Sequence, residues 1–394
     1  MYSSRLRHGA GRNRLAVALD RRRAAGLPIL DLTLSNPTSA GFAYSPRLLK
    51  PLADERGLRY EPQPFGLPSA RQAVSDDFSR RGAPIPPERI VLTSSTSEAY
   101  SFLFKLLCDP GDTVLAPQPS YPLIEHLAGL DAVTLEPYSL EFHGTWSIDV
   151  DGLHERLARA SGRSQVRAII LISPNNPTGS VVKPEEARSV SSLARDHDVA
   201  LIVDEVFADY PLDGRSPASV SVHTGGAALT FTLGGLSKTV GLPQVKLGWI
   251  GVTGPAMLVS EAMERLETIA DTYLSVSTPV QAAACELLAE GAAVRSQIQA
   301  RIAANLDRLR TAAAANPACS VLPPDAGWYA VVQVPNLKSE EAIVLDLLDG
   351  SGVLVHPGYF FDFAREAFLV VSLLPEQDTF TRAVETLFGR IGPS

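Results

Sequence analysis

The chain has 394 residues, 45% of them hydrophobic and 20% charged, with a formal net charge of −8. Those values suit a globular enzyme of one large or two moderate domains and point to no nucleic-acid partner. No apolar stretch approaches the roughly 18 residues of a membrane helix, and Cys108, Cys285 and Cys319 are too scattered for a disulfide framework or a zinc site, so reduced thiols in a cytoplasmic setting are expected.

The first 25 residues are rich in arginine (Arg5, Arg7, Arg12, Arg14, Arg21, Arg22, Arg23) and poor in acids. A transit peptide has that composition too, but the run Leu15-Ala16-Val17-Ala18-Leu19 is too short for a signal-peptide core. An amphipathic helix of the mature protein is expected instead. Short β-branched runs then recur: Ile90-Val91-Leu92, Thr113-Val114-Leu115, Ala168-Ile169-Ile170-Leu171-Ile172, Ala200-Leu201-Ile202-Val203 and Leu229-Thr230-Phe231-Thr232-Leu233. Helical patterns lie between them, one opening at Pro184-Glu185-Glu186 with Ala187, Val190, Leu193 and Ala194 on one face. The runs at Ala168 and Ala200 are nearly free of polar residues, as strands buried on both faces are. Alternating strand and helix predicts an α/β fold with a mainly parallel central sheet in a large domain spanning 45–285.

The pattern changes near residue 285. Val294, Ile298, Ile302, Leu306 and Leu309 recur at helical spacing and predict a long amphipathic helix. Strand-like segments at 328–334 and 353–356 and a last helix near 379–387 complete a smaller α+β domain. The N-terminal arm is expected to pack with it, so that this domain comprises 1–44 and 286–394.

Three residues stand at the ends of separate apolar runs: Asn176 in Asn175-Asn176-Pro177-Thr178-Gly179, Asp204 before Glu205, and Lys238 in Leu236-Ser237-Lys238-Thr239. That is the layout of an α/β active site. It suits pyridoxal phosphate, which needs a lysine amine for its aldehyde and an acid for its ring nitrogen. Each residue also has a plainer reading. Lys238 is then a surface lysine after a strand, Asp204 a helix cap or sheet-edge ion pair, and Asn176 part of a turn. Glu205 is a second candidate for the structural acid. Ser95, Thr96 and Ser97 open a helix after a strand, which makes either a phosphate cradle or an ordinary cap. Tyr121 in Pro119-Ser120-Tyr121-Pro122 is either a stacking ring or a core side chain.

Together these motifs resemble the class I/II aminotransferases, of the aspartate aminotransferase fold type (fold type I) of pyridoxal phosphate enzymes, from Asn36-Pro37 to the C-terminal region. The resemblance implies that Lys238 carries the cofactor and that Asp204 holds its ring nitrogen. It implies that Asn176 orients the phenolic oxygen, that Tyr121 stacks on the ring, and that Ser95, Thr96, Ser97 and Lys246 bind its phosphate. Tyr60, ahead of Phe65-Gly66-Leu67-Pro68, looks like the tyrosine that reaches the partner subunit's phosphate, which implies a homodimer with a shared active site. Asn36, Asn176 and Arg365 are the candidate substrate-binding residues.

The chain departs from the family at several positions. Lys246 stands where an arginine usually forks onto the phosphate, Gly235 where a hydroxyl is common, and Ser95 where glycine is frequent. Phe207 replaces a tyrosine that usually donates to the ring oxygen. In Leu369-Val370-Val371-Ser372, Val370 takes the place of the arginine that clamps the substrate carboxylate. Three explanations are open: Arg365, Arg12 or Arg14 substitutes; the donor lacks a free α-carboxylate; or catalysis is lost. No arginine lies in 268–278, where acidic-substrate members often place one, which disfavours aspartate and glutamate. The expected activity is ping-pong transfer of an amino group from an amino acid or amine to a 2-oxo acid. Alternatives are a lyase or decarboxylase, an amine-specific transaminase, or a non-catalytic cofactor-binding regulator; the last usually carries a helix-turn-helix domain, for which this chain has no room.

Overall fold

Runs of aliphatic residues that cannot meet water on either face become adjacent strands. A computed structural model describes residues 2–3, 5, 11–159, 165–212 and 219–391. After β1 (Leu30–Asp31) in the N-terminal arm, the strands β2 (Ile90–Thr93), β3 (Thr113–Gln118), β4 (Thr134–Phe142), β5 (Trp146–Ile148), β6 (Val166–Ile172), β7 (Ala200–Asp204), β8 (Thr230–Gly235) and β9 (Gly248–Thr253) follow. β2 to β9 form one sheet in the spatial order β2-β9-β8-β7-β6-β3-β4-β5. β8, β7, β6, β3 and β4 run parallel, while β9 is antiparallel to both neighbours and β5 to β4.

The predicted core strands are β6 and β7, and both faces of each are covered. Ile170 and Ile202 pack with Phe102, Leu103 and Leu266 on one side. Leu171, Leu201 and Val203 pack with Leu153, Leu157 and Val190 on the other. Each such side chain contributes roughly 1.5–3 kcal/mol of apolar burial, which fixes the register against a one-residue slip. β9 was not among the expected strands. Its glycines hide it from an apolar-run search, and Gly251 is needed for packing: a Cβ there would sit 2.6 Å from Ile85 Cδ1.

The helix Pro184–Asp196 starts where the sequence indicates. The long helix runs Ala284–Ala314, starting earlier than its apolar stripe, with Ala284 and Leu287 buried in its first turn; Val294, Ile298, Ile302, Leu306 and Leu309 are buried further along. The last helix is Gln377–Ile391. β10 (Ser320–Leu322), β11 (Tyr329–Gln333), β13 (His356–Pro357) and β14 (Phe368–Ser372) form an antiparallel sheet in the order β10-β11-β14-β13. β12 (Val353–Leu354) pairs in parallel with β1 and so ties the N-terminal arm to the C-terminal part. The arm's helix, Arg14–Ala24, adds ion pairs from Arg14 to Glu341 (2.8 Å) and Arg21 to Asp349 (2.7 Å). Arg7 lies outside the described residues. Among the described residues no helix is long and apolar enough to cross a membrane.

Candidate active site

β2, β3, β6, β7 and β8 point the same way, so the segments that leave them emerge along one sheet edge. Ser95 follows β2, Tyr121 follows β3, Asn176 follows β6, Asp204 ends β7 and Lys238 follows β8. Ligands of open α/β sheets bind outside this edge.

Lys238 lies on a short helix, Leu236–Thr239. Its Nζ stands 5.3 Å from the Trp328 ring centre and 6.0 Å from that of Phe207. Burial pushes its amine below the ordinary lysine range; the Asp204 charge opposes that shift and the Lys246 charge adds to it. A desolvated amine is the state in which lysine acts as a nucleophile. The Tyr210 hydroxyl donates to the Lys238 carbonyl and holds the backbone of the short helix.

Asp204 shares a face of β7 with Ala200 and Ile202. Burial lifts its carboxyl from 3.8 to about 6, against hydrogen bonds from the Val206 N–H and the Tyr100 hydroxyl. Glu205, on the opposite face, is taken up by the scaffold: Arg81 Nη1 donates to it at 3.0 Å, the Ser219 hydroxyl at 2.6 Å and the Val220 N–H at 2.8 Å. The doublet of asparagines divides similarly. Asn175 Oδ1 accepts from the N–H and hydroxyl of Thr178 and builds the turn. Asn176 keeps a buried Oδ1 with no hydrogen-bond partner among the described residues.

Ser95 caps the helix Thr96–Leu107 by accepting from the Glu98 N–H, with Thr96 and Ser97 half-buried in its first turn. Gly248 packs directly beneath this helix start: a Cβ there would lie 2.8 Å from the Ser95 carbonyl carbon. Tyr121 is 39% exposed, and burial with the nearby Asp204 charge pushes its phenol up to about 12. Phe207 is buried edge-on to Trp328 and Tyr329. Lys246 is exposed and adopts φ +62°, a left-handed conformation that strains a residue with a Cβ.

The remaining candidates lie elsewhere or are engaged. Asn36 caps its own turn, accepting from Thr38 and donating to Ser39 Oγ. Tyr60 is 75% exposed and lines a shallow hollow with Leu92 and Leu274. Arg365 is exposed and stacks on Phe368 at 5.4 Å. Arg12 pairs with Asp20 and Arg14 with Glu341. Val370 is fully buried in β14, opposite Val331 of β11 and His356 of β13. Tyr100, Trp328 and the Arg81–Glu205 pair were not found by sequence reasoning. For Tyr100 a signal existed: it follows the candidate phosphate-binding residue Thr96 by four positions on one helix, which puts it on the same face.

The side chains on this edge fit pyridoxal phosphate. They supply a desolvated amine, a buried acid with no cationic hydrogen-bond partner among the described residues, and a hydroxyl-bearing helix start packed against glycine. Residues 33–387 match the family described as aminotransferase class I and II. The alanine aminotransferase of Mycobacterium tuberculosis (strain H37Rv) is 28% identical over 379 residues, covering 93% of this chain and 86% of that protein. The glutamate-pyruvate aminotransferase AlaA of Escherichia coli K12 is 26% identical, with coverage of 90% and 88%. Among solved structures, an Escherichia coli aminotransferase superposes with a TM-score of 0.85 at 25% identity, covering 99% of this chain and 98% of that one. The alanine aminotransferase of Pyrococcus furiosus gives 0.88 at 23% identity, covering 99% of each. With that fold, that site and a family match over most of its length, the chain belongs to the class I and II aminotransferases, which work with pyridoxal phosphate.

Proposed function

We propose that this chain moves an amino group from a small amino donor to a 2-oxo acid in two half-reactions centred on Lys238. Bound pyridoxal phosphate supplies an aldehyde that carries the amino group and a ring that draws electrons from the substrate carbon. Lys238 would hold the bound cofactor through its amine and, once freed, would serve as the base that moves a proton from the substrate Cα. Asp204 would hold the ring nitrogen and favour its protonated form. Asn176 would donate to the phenolic oxygen, Tyr121 would cover the ring, Phe207 and Trp328 keep water from Lys238, and Ser95, Thr96, Ser97 and Lys246 would hold the phosphate.

The observation that carries this proposal is the buried pair of opposite function, a desolvated Lys238 amine beside a desolvated Asp204 carboxyl. Relatives named alanine and glutamate-pyruvate aminotransferases support an amino acid donor and a pyruvate-like acceptor. Exposed Tyr60, Leu58 and Leu49 support a homodimer in which Tyr60 reaches the partner's phosphate. Free cysteines support a cytoplasmic setting.

A second proposal concerns the donor. Val370 is uncharged and buried, and Arg12, Arg14 and Arg365 are engaged at the surface, which supports a donor that lacks a free α-carboxylate. The test of both is the absorbance of the cofactor-loaded protein with a panel of amino acids and simple amines. Conversion to the pyridoxamine form by amino acids supports the first; conversion by amines alone supports the second. A bound cofactor that no donor converts would defeat the transfer reaction.

A further inference from the structure

The helix that presents the phosphate cradle also reaches Asp204. Tyr100 stands one turn beyond Thr96 on the helix Thr96–Leu107, and only 3% of it is exposed. Its hydroxyl donates to Asp204 Oδ2 at 3.0 Å, while the Val206 N–H donates to Oδ1 at 3.1 Å. The tyrosine ring is itself fixed, packed in the cluster of Phe102, Leu103 and Ile202 and lying 6.0 Å from the Phe104 ring. Each carboxylate oxygen therefore has one donor among the described residues, and the plane of the carboxyl is set from both sides.

We propose that Tyr100 is a positioning residue for the cofactor's ring nitrogen, acting through Asp204: its hydroxyl keeps the Asp204 carboxylate ionised and aimed at the site. The inference rests on the proposed role of Asp204. Three physical arguments support it. A buried carboxylate is costly unless hydrogen-bonded to donors that favour the charged form. A phenol in an apolar cluster next to a carboxylate stays protonated, so it remains a donor; burial and the Asp204 charge both push Tyr100 well above its usual range. Tyrosine on a packed helix also loses little freedom when it makes this bond, so the geometry is preorganised. The same rigid helix then fixes two points of one ligand, the phosphate at its first turn and the nitrogen through Tyr100 at its second.

The test compares the unaltered protein with Tyr100→Phe, which keeps the ring and removes the donor. Two quantities are read at one fixed pH: the dissociation constant of pyridoxal phosphate from the reconstituted protein, and the 15N resonance of cofactor labelled at the ring nitrogen. We expect roughly tenfold weaker binding, the usual effect of losing one hydrogen bond to a charged group, and a resonance moved toward unprotonated pyridine. Asp204→Asn and the double variant complete a cycle. If Tyr100 acts through Asp204, Tyr100→Phe changes neither quantity further in the Asp204→Asn background. An unchanged resonance and affinity in Tyr100→Phe, or an equal loss of affinity in both backgrounds, would overturn the proposal and leave Tyr100 as core packing. Wild-type protein that failed to bind the cofactor would overturn the role of Asp204 and this inference together. A thermal scan of the cofactor-free variants separates misfolding from loss of positioning.

Discussion

Arg81 and Glu205 form a buried ion pair at 3.0 Å directly behind the site, with side chains only 10% and 1% exposed. Arg81 also lies 3.7 Å from Asp77 and stacks on Phe78 at 4.9 Å, so it is held from three sides. Glu205 in turn fixes the chain at Ser219 and Val220. The pair anchors the end of β7 and so the backbone of Asp204. Arg81→Met should lower unfolding stability by about 3–5 kcal/mol, because it strands a buried carboxylate. Chemical denaturation of the cofactor-free protein measures this. A loss below about 1 kcal/mol would mean that water reaches Glu205 and that the anchor is weak.

The two acids of Asp204-Glu205 do different jobs, and for Asp204 the sign of the pH dependence follows from its burial. The Asp204 carboxyl rises from 3.8 to about 6 on folding, with burial as the first cause. The folded, cofactor-free chain therefore binds that proton more tightly than the unfolded chain. This contribution to stability is complete below the ordinary carboxyl range and is lost as pH rises through about 4 to 6, a change of at most about 3 kcal/mol. Asp204→Asn removes it. Its denaturation midpoint should exceed that of the parent near pH 8 and approach it near pH 5, while pyridoxal phosphate binds far more weakly. Equal midpoints at both pH values would show that Asp204 carries no desolvation cost.

Much of this was legible in the sequence because burial on both faces leaves a compositional mark. The runs at Ala168 and Ala200 gave β6 and β7, and the polar residue at each end stood out against them. The doublets Asn175-Asn176 and Asp204-Glu205 were harder. One-dimensional pattern cannot say which member turns inward, since that depends on the pleat and on partners such as Arg81, 124 positions away. β9 was hidden because its glycines serve close packing and not hydrophobic burial. Tyr100 is a core residue; its hydroxyl acquires a role only when β7 brings Asp204 beside it.

Gly248 shows how tightly the cradle is packed. A Cβ there would meet the Ser95 carbonyl carbon at 2.8 Å, Thr93 Oγ1 at 3.0 Å and the Thr96 nitrogen at 3.1 Å. Two of these atoms are backbone, so the helix start must shift. Gly248→Ala should cost about 1–3 kcal/mol of stability and weaken phosphate binding more than Gly129→Ala, whose Cβ meets nothing within 4 Å. Comparing pyridoxal phosphate with pyridoxal in binding titrations isolates the phosphate. An equal loss for both ligands would place the damage outside the cradle.

The exposure of Tyr60 makes a prediction that a single chain cannot satisfy. Its ring is 75% exposed, next to Leu58 at 87%, an arrangement that suits a side chain delivered to a second copy. Lys238→Ala and Tyr60→Ala each should leave a protein with little activity, the first without its nucleophile and the second with weaker phosphate binding by about 1.5–3 kcal/mol. Mixed and allowed to exchange subunits, they form hybrids in which one of two sites has an intact Lys238 from one chain and an intact Tyr60 from the other. Activity at limiting pyridoxal phosphate should therefore rise on mixing, toward a quarter of the unaltered level, since roughly half the dimers are hybrids with one good site. No rise, with subunit exchange confirmed by mass, would mean that Tyr60 serves its own chain or none.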